Sequence, residues 1–336
     1  MKKGVFYVFL LAVMAIFVFI SIGAYAQTKD QPIIIKGITA FPKPHLNNDP
    51  VPLFIEEVNK RAQGRLRIDW LGGPEIFATF DQIHALKAGT IDMIIYYPFG
   101  YMKSLMPEAE AKGLSELAEW EERKTGAFEL WTEIFEKRVN AKYLGRFHNN
   151  LNFQIHMNRK IEKLADFKGT IIRTMPLFNP FIKSLGANPV TIPPGEIYTS
   201  LERRVVDGFM WARFSITSMG LHEVSKYTIY PGLFQIEPAT MINLDRWKKI
   251  PKDLQDIIME TMKEYEQIAT KRAFTIVEQE DKVREKAGMR VIKLPPEDGE
   301  KLVKLGYDTT WEVIIKDAPE YGPKLRKATS KAALPK

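Results

Sequence analysis

The N-terminal part of the chain repeats an order of strand, helix and strand. Residues 33–38 form a short apolar run, residues 51–63 place apolar side chains at four-residue spacing, and residues 65–70 alternate apolar and polar positions. These periods predict a buried strand, an amphipathic helix and a second strand. A helix over 80–87 and a strand over 91–96 continue the order. Consecutive units of this kind predict a mostly parallel sheet with helices on both faces.

A second set of units begins near residue 152, after a charge-rich segment of helical period at residues 107–140. The pattern predicts strands over 153–157, 170–175 and 205–211, helices over 176–185 and 194–203, and an extended piece over 189–192. The chain therefore contains two sets of α/β units, which predicts two lobes of similar architecture.

One long helix is predicted from Pro251 to about Lys286, because this charged amphipathic stretch contains no further proline and no glycine. At 1.5 Å per residue it would be about 54 Å long, which exceeds the width of a small domain. The helix should therefore reach across both lobes. Two α/β lobes braced in this way are more typical of a hinged binding protein than of a single compact enzyme.

Composition excludes several classes of function. The 336 residues suffice for two domains, and 45% hydrophobic and 26% charged residues are usual in globular proteins. The chain contains no cysteine, which excludes disulfides, thiolate metal sites and a cysteine nucleophile. Lysine and arginine exceed aspartate and glutamate by 48 to 41, and this excess is spread along the chain. We therefore expect no binding to nucleic acid.

The N-terminus has the pattern of an export signal. Lys2 and Lys3 precede an apolar run over residues 5–20, and Ala24 and Ala26 flank Tyr25 in a small-x-small cleavage pattern. We expect a signal peptide over residues 1–26, cleaved near Ala26, and export to the periplasm. An uncleaved N-terminal anchor is the alternative, because the run is intermediate in length between a signal core and a membrane span.

Arg173 is the strongest candidate for a ligand-binding residue. It follows two isoleucines in a predicted strand whose central positions would normally be apolar. At the carboxyl end of a strand it would face the crevice in which open α/β sheets bind ligands, and its planar fork suits a carboxylate. The alternative is a structural arginine paired with a neighbouring acid, and the residues alone leave both open.

Other candidates share a position at or just after a predicted strand. They are Tyr96, Tyr97, Phe178, Asn179, Trp211 and Arg213. Aromatic rings there can wall a pocket, a second arginine can add positive charge, and the helix start near Asn179 favours an anion. For each of them, core packing or solvent exposure is the alternative.

Catalytic and metal-binding motifs are missing from the sequence. It contains no nucleophile elbow, no HExxH, no phosphate-binding glycine loop and no dinucleotide fingerprint. The five histidines lack metal-ligand spacing, and His45, in a loop rich in proline and asparagine, is expected to be solvated. We expect neither catalysis, nor a metal, nor a cofactor.

A family resemblance emerges from several short motifs. They are KLADFKGTIIR at 163–173, LGA at 185–187, EIY at 196–198, VVDG at 205–208 and, in the first lobe, ALKAGTIDM at 85–93. Together they resemble the solute-binding proteins of tripartite ATP-independent periplasmic (TRAP) transporters over about residues 32–315. The resemblance implies the two-lobe periplasmic binding protein fold. It also implies that the arginine matching Arg173 grips the carboxylate of an organic acid.

The resemblance also implies how the chain is divided into lobes and which partners it binds. Lobe I would comprise 27–150 plus 239–275, and lobe II 151–238 plus 276–336. The partners would be a small organic acid and the TRAP membrane permease subunits, and we expect a monomer. An exported enzyme acting on organic acids, or a sensing protein without transport, remain alternatives.

The sequence departs from two subgroups of this family. Members that bind sugar acids carry asparagine where Trp211 stands, and members that bind 2-oxo acids with a cation carry glutamate where Met210 stands. A cation site is therefore not expected, although Gln235 or Glu237 can still line the cleft. With Phe153 as another apolar wall, we expect a relatively apolar monocarboxylate, aromatic or branched, rather than a polyhydroxylated acid.

Overall fold

The computed structural model describes residues 31–335, which form two β-sheets flanked by helices. The predicted signal peptide, residues 1–26, lies outside these residues. The strands are β1 (Ile33–Thr39), β2 (Leu66–Gly72), β3 (Met93–Pro98), β4 (Ala141–Arg146), β5 (Asn152–Met157), β6 (Ile171–Thr174), β7 (Asn188–Thr191), β8 (Gly208–Ala212), β9 (Tyr227–Gln235), β10 (Pro238–Asn243) and β11 (Arg290–Lys293).

The helices cover both faces of the sheets. They are α1 (Pro50–Arg61), α2 (Gln82–Lys87), α3 (Glu110–Gly113), α4 (Glu119–Thr125), α5 (Ala127–Val139), α6 (Asn179–Ser184), α7 (Ile197–Glu202), α8 (Leu244–Trp247), α9 (Lys252–Lys286), α10 (Pro296–Asp317) and α11 (Gly322–Ala328). In residues 31–335 no helix combines the length and the apolar character that a membrane crossing needs.

The first sheet has the strand order β2-β1-β3-β10-β4, and the second has β11-β9-β5-β8-β6-β7. Strands within one α/β unit pair in parallel, as β1 does with β2 and β3, and as β6 does with β7 and β8. The strands that cross between halves pair antiparallel, namely β10 in the first sheet and β5 in the second. The α/β fold class is thus confirmed, with mixed pairing in each sheet.

The helix α9 spans 35 residues, as the uninterrupted sequence pattern predicted. Its first part packs on α1 and β4 of the half that contains the first sheet. Its last part reaches the other half, where the Glu280 carboxylate accepts hydrogen bonds from the backbone N–H groups of Ser215 (2.7 Å) and Thr217 (2.8 Å). One rigid element therefore contacts both halves of the molecule.

The C-terminal segment returns to the half that holds the first sheet. The Tyr321 hydroxyl donates to Glu133 on α5 at 2.7 Å, and the backbone N–H of Glu116 donates to the carbonyl of Thr329 at 3.0 Å. The predicted division assigned residues 276–336 to lobe II as a whole. These contacts place the residues at the two ends of the last helix, α11, next to segments that the prediction assigned to lobe I.

A buried ionic cluster fixes the segment between β3 and β4. The Lys112 ammonium lies 2.7 Å from Glu119 and 2.5 Å from Glu122, and the Arg146 Nε lies 3.1 Å from Glu119, all with fully buried side chains. Burial alone would raise the pKa of Glu119, but Lys112 and Arg146 hold that pKa below its ordinary value. The positive charges of Lys112 and Arg146 therefore compensate the negative charges of Glu119 and Glu122 in the interior of the protein.

Replacing Lys112 with methionine should destabilise the protein by about 3–5 kcal/mol, because two carboxylates would stay buried with one cation fewer. Urea unfolding at neutral pH measures this loss. The matched change Lys304→Met removes an exposed pair with Asp308 and should cost less than about 0.5 kcal/mol. A loss below about 1 kcal/mol for Lys112→Met would contradict the proposed compensation.

Candidate functional site

A largely apolar cavity lies between the two halves of the molecule. The cavity has a volume of only about 30 Å³, so its opposing walls lie close together. Residues from both sheets and their connecting loops line it: Phe41, Asn47, Tyr96, Pro98, Tyr101, Phe153, Met175, Trp211, Ala212, Phe214, Ile236, Glu237 and Pro238. A cleft with apolar walls and few polar groups is typical of a small-molecule site.

Strand direction brings these residues together. Phe41 follows β1, Tyr96 lies near the end of β3, Met175 follows β6, and Trp211 lies at the end of β8. The pairs β1–β3 and β6–β8 are each parallel, so all four residues come from carboxyl ends of parallel strands. Open α/β sheets bind their ligands at such ends.

Arg173 is fully buried behind this cavity, and it is held by backbone carbonyls rather than by an acid. Its Nε donates to the carbonyl of Ile192 at 2.9 Å, and its Nη1 lies 3.5 Å from the carbonyl of Met210. Among the described residues no carboxylate forms a salt bridge with it, and its Nη2 has no hydrogen-bond partner. Burial lowers the pKa of Arg173 to about 10, so the group remains a cation at neutral pH.

Two residues that line the cavity lie next to the guanidinium of Arg173. The centre of its guanidinium lies 5.3 Å from the Trp211 ring, and the Tyr101 hydroxyl faces it. Trp211 and Tyr101 both line the cavity, whereas Arg173 itself is one layer behind the wall. A buried cation without a counter-charge is unfavourable, and an anionic ligand would offset that cost.

The aromatic walls come from both halves of the molecule. Trp211 is fixed by hydrogen bonds from its Nε1 to the carbonyl of Phe214 (3.2 Å) and to the hydroxyl of Ser215 (3.1 Å). Its ring lies 6.3 Å from that of Phe41, edge to face, and Phe41 lies 5.9 Å from Tyr96. These contacts join the loop after β1 to the end of β8.

Two neutral histidines support the first-sheet wall. Burial lowers the pKa of His148 to about 3, and its Nδ1 lies 3.0 Å from the Tyr96 hydroxyl. Burial also lowers the pKa of His45 to about 4. His45 stacks on Phe41 with ring centres 4.4 Å apart, and its Nδ1 accepts from the backbone N–H of Asn47. The expectation from the sequence that His45 is solvated was therefore wrong, because the ring is largely buried against Phe41.

Glu237 is the one carboxyl group among the cavity-lining residues that the structure describes. Its side chain is 1% exposed, and within residues 31–335 neither carboxyl oxygen has a hydrogen-bond partner. Burial raises the pKa of Glu237 to about 8, and the nearby backbone N–H of Gly100, the charge of Arg146 and the backbone N–H of Glu237 itself lower it only in part. Glu237 is therefore mostly an uncharged acid at neutral pH.

Several candidate residues lie away from the cavity. Phe178 packs in the core against Phe153 and Phe234, at ring distances of 4.9 and 4.7 Å. The Tyr97 hydroxyl donates to the carbonyl of Thr79 at 2.8 Å, on the opposite face of β3 from Tyr96. Neighbours on a strand point to opposite faces, so only one of Tyr96 and Tyr97 can face the cavity, but the spacing does not tell which one.

The side chains of Arg213 and Gln235 also form their polar contacts outside the cavity. Arg213 forms an ion pair with Asp281 of α9, and it lines a separate surface groove with Arg284. The Gln235 amide donates to the carbonyl of Ser115 and accepts from the backbone N–H of Asn150 at 3.0 Å. The residue Asn179 is partly buried and does not line the cavity. Of the predicted ligand-binding residues, Tyr96, Phe153 and Trp211 line the cavity, and Arg173 stands behind its wall.

A family model identifies the chain's relatives. Residues 40–313 match the model of the bacterial extracellular solute-binding proteins, family 7 (DctP). An uncharacterized protein of Haemophilus influenzae is 38% identical over 122 residues, 34% of this chain and 35% of the relative. A monocarboxylate 2-oxoacid-binding periplasmic protein of Nostoc sp. is 30% identical over 102 residues, 30% of this chain and 28% of the relative. The chain therefore aligns with about a third of the length of these two curated relatives.

A solved structure shows the same fold over most of both chains. It is a TRAP periplasmic solute-binding protein of Desulfovibrio salexigens with bound orotic acid. It superposes with a TM-score of 0.81 at 20% identity, covering 89% of this chain and 98% of the other. The similarity confirms the two-lobe fold that the motifs implied.

The change Glu237→Gln should stabilise the protein at high pH. The folded-state pKa of about 8 lies above the ordinary 4.5, so the wild type progressively loses stability as the pH rises from about 4.5 through about 8. The variant cannot ionise there. In urea unfolding we expect a small difference at pH 5 and a gain of about 2–4 kcal/mol at pH 8.5.

The matched change Glu312→Gln, at an exposed position, controls for the substitution itself. A Glu237→Gln variant whose advantage over the wild type is the same at pH 5 and pH 8.5 would show that Glu237 is not buried as an acid.

Proposed function

Because the chain belongs to the bacterial extracellular solute-binding protein family 7, we propose that it captures a small organic carboxylate and delivers it to a TRAP membrane permease. Its relatives in this family serve as periplasmic receptors for solutes. The observation that carries the proposal is Arg173, a fully buried guanidinium with an unpaired Nη2 beside an aromatic cavity. The ligand carboxylate would supply the missing anion.

Capture would proceed by closure of the two halves. The carboxylate pairs with Arg173 behind the wall of the second-sheet half, and aromatic rings from both halves enclose the remainder of the ligand. Trp211 and Phe41 come from different halves and meet edge to face at 6.3 Å, so their contact would close one side of that enclosure. A ligand that contacts both sides binds the closed form better than the open form and so shifts the population towards it.

The division into lobes follows the two sheets. We propose that residues 27–150 and 239–275 form lobe I, and that residues 151–238 and most of 276–336 form lobe II, with α11 attached to lobe I. The chain would cross between lobes near 150, near 238 and within α9. The mature protein would begin after Ala26 and act as a monomer that binds without catalysis.

The ligand class we propose is a relatively apolar monocarboxylate. Phe153, Trp211 and Phe214 offer hydrophobic area on one side, and Phe41 and Tyr96 offer it on the other. A polyhydroxylated acid would need more hydrogen-bond partners than these walls supply. The name of the Nostoc relative, a monocarboxylate 2-oxoacid-binding protein, and the orotic acid bound by the Desulfovibrio protein agree with a carboxylate ligand.

The change Arg173→Ala should weaken binding of the captured acid by at least about 100-fold, because a buried carboxylate would lose its charge-assisted hydrogen bonds. Arg173→Lys should restore binding only in part, since an ammonium group lacks the planar fork. Calorimetry with the acid that gives the largest thermal shift in a screen measures both.

Arg213→Ala serves as the matched control, because Arg213 pairs with Asp281 outside the cavity. We expect this variant to bind the acid with wild-type affinity. Unchanged binding by Arg173→Ala, or equal losses in the two variants, would contradict carboxylate capture by Arg173.

A thermal-shift screen of organic acids should rank aromatic and branched monocarboxylates above sugar acids. The physical reason is the apolar area of the walls, since each buried CH₂ group contributes about 0.8 kcal/mol. Mass spectrometry of a co-purified ligand provides an independent check. Tight binding of a sialic or uronic acid, without any response to apolar acids, would refute this ligand class.

A further inference from the structure

Glu237 is an ionisable group of the cavity wall for which capture of a carboxylate by Arg173 provides no role. Its position is fixed by the backbone: its carbonyl accepts from the N–H of Phe99 at 3.0 Å, and β10 begins at the next residue, Pro238. In the part of the chain that the structure describes, both carboxyl oxygens are buried without a partner. An unsatisfied buried carboxyl group costs free energy, so its retention in a cavity wall requires an explanation.

The groups that face Glu237 do not supply a counter-charge. Tyr96 and Tyr101 face it from β3 and the turn that follows, and both are uncharged at neutral pH because burial raises their pKa values. Arg146 on β4 acts on it from a distance: its Nε lies 3.1 Å from Glu119, its Nη2 donates to the carbonyl of Leu117, and no salt bridge joins it to Glu237 in the described residues.

The remaining charged or titratable groups around the cavity are also engaged or neutral. His148 is paired with the Tyr96 hydroxyl, and His45 stacks on Phe41. Arg173, on the other side, faces Tyr101, and no salt bridge joins it to Glu237 in residues 31–335. Within the described protein, only the backbone N–H groups of Gly100 and of Glu237 itself come close enough to influence the carboxyl group directly, and no side chain is hydrogen-bonded to it, so it can exchange hydrogen bonds with a molecule in the cavity.

The chemistry of a protonated carboxyl group defines what that molecule must offer. Its hydroxyl donates one hydrogen bond, and its carbonyl oxygen accepts one. A ligand carbonyl, amide or hydroxyl group satisfies it without separating charge. A second ligand carboxylate would face a group that becomes an anion as the pH rises, and a ligand ammonium would require Glu237 to ionise in an apolar site.

We propose that Glu237 is a second ligand-binding residue, which in its acid form exchanges hydrogen bonds with an uncharged polar group of the captured acid. The substrate class is then a monocarboxylate that carries one neutral carbonyl, amide or hydroxyl group at a distance from its carboxylate. This inference rests on the proposed function, since it assumes that the carboxylate end is held by Arg173.

Two sets of three probes test the inference, because the members of each set are similar in size and differ mainly in whether they carry an apolar group, an amide or a cation besides the carboxylate. The first set is cyclopentanecarboxylate, pyroglutamate and proline, in which the ring is apolar, an amide or a cation. The second is 4-methylpentanoate, succinamate and 4-aminobutanoate. Calorimetry measures the affinity of the wild type and of Glu237→Gln for each probe at pH 6.5 and pH 9.0. Melting temperatures show that the variant is folded.

We expect the amide member of at least one set to bind the wild type at least tenfold more tightly than its apolar member. That affinity should fall roughly tenfold from pH 6.5 to pH 9.0, as Glu237 ionises. In Glu237→Gln, which keeps a donor and an acceptor but cannot ionise, the same amide should bind with little dependence on pH. Binding at pH 9.0, measured in buffers of different ionisation enthalpy, should take up a proton in the wild type only.

Other results overturn the inference. Equal or tighter binding of the apolar members assigns Glu237 no role, and tightest binding of proline or 4-aminobutanoate, improving as the pH rises, makes Glu237 a site for a cation. If none of the six probes binds while other acids of the wider screen do, this inference fails and the proposed function stands. If no acid binds at all, both fail.

Discussion

The proposed function depends on the buried guanidinium of Arg173, in which one nitrogen has no hydrogen-bond partner among the described residues. The Nε of Arg173 donates a hydrogen bond to the carbonyl of Ile192, and its Nη1 lies near the carbonyl of Met210. Its Nη2 has no hydrogen-bond partner within residues 31–335. Two carbonyl contacts orient the fork but do not neutralise it. In the proposed function, a bound carboxylate would offset the free energy of burying this cation, which would link the stability of the cavity to ligand capture.

The surrounding strands place that cation next to apolar walls. Parallel pairing of β6 with β8 aligns Arg173 with Phe209 and so puts Trp211, two residues on, at the same sheet end. The helix α9 contacts both halves, through α1 and β4 at one end and through Glu280 at the other. In the proposed closure, two preformed walls would move towards one another while α9, in contact with both halves, would limit how they approach.

Much of this arrangement could be predicted from the sequence, because local periodicity reflects local burial. The α/β units, the full length of α9 and the anomaly of Arg173 in an apolar strand were all visible. The strand β10 was not, since its pairing with β3 and β4 joins residues about 100 to 150 positions apart. The positions of Phe178 and Arg213 outside the cavity lining could not be predicted for a similar reason. Phe178 packs on Phe234, and Arg213 forms an ion pair with Asp281, and both partners are distant in sequence. Glu237 was a candidate, but no pattern shows that it is buried without partners.

The central claim is tested most directly by a crystal structure of the protein with the acid that it binds most tightly. The account predicts a carboxylate oxygen within about 3 Å of the Nη2 of Arg173, with the rest of the ligand in the cavity that Trp211 and Phe41 line. A carboxylate bound at any other group, with Arg173 still contacting only the carbonyls of Ile192 and Met210, would contradict it.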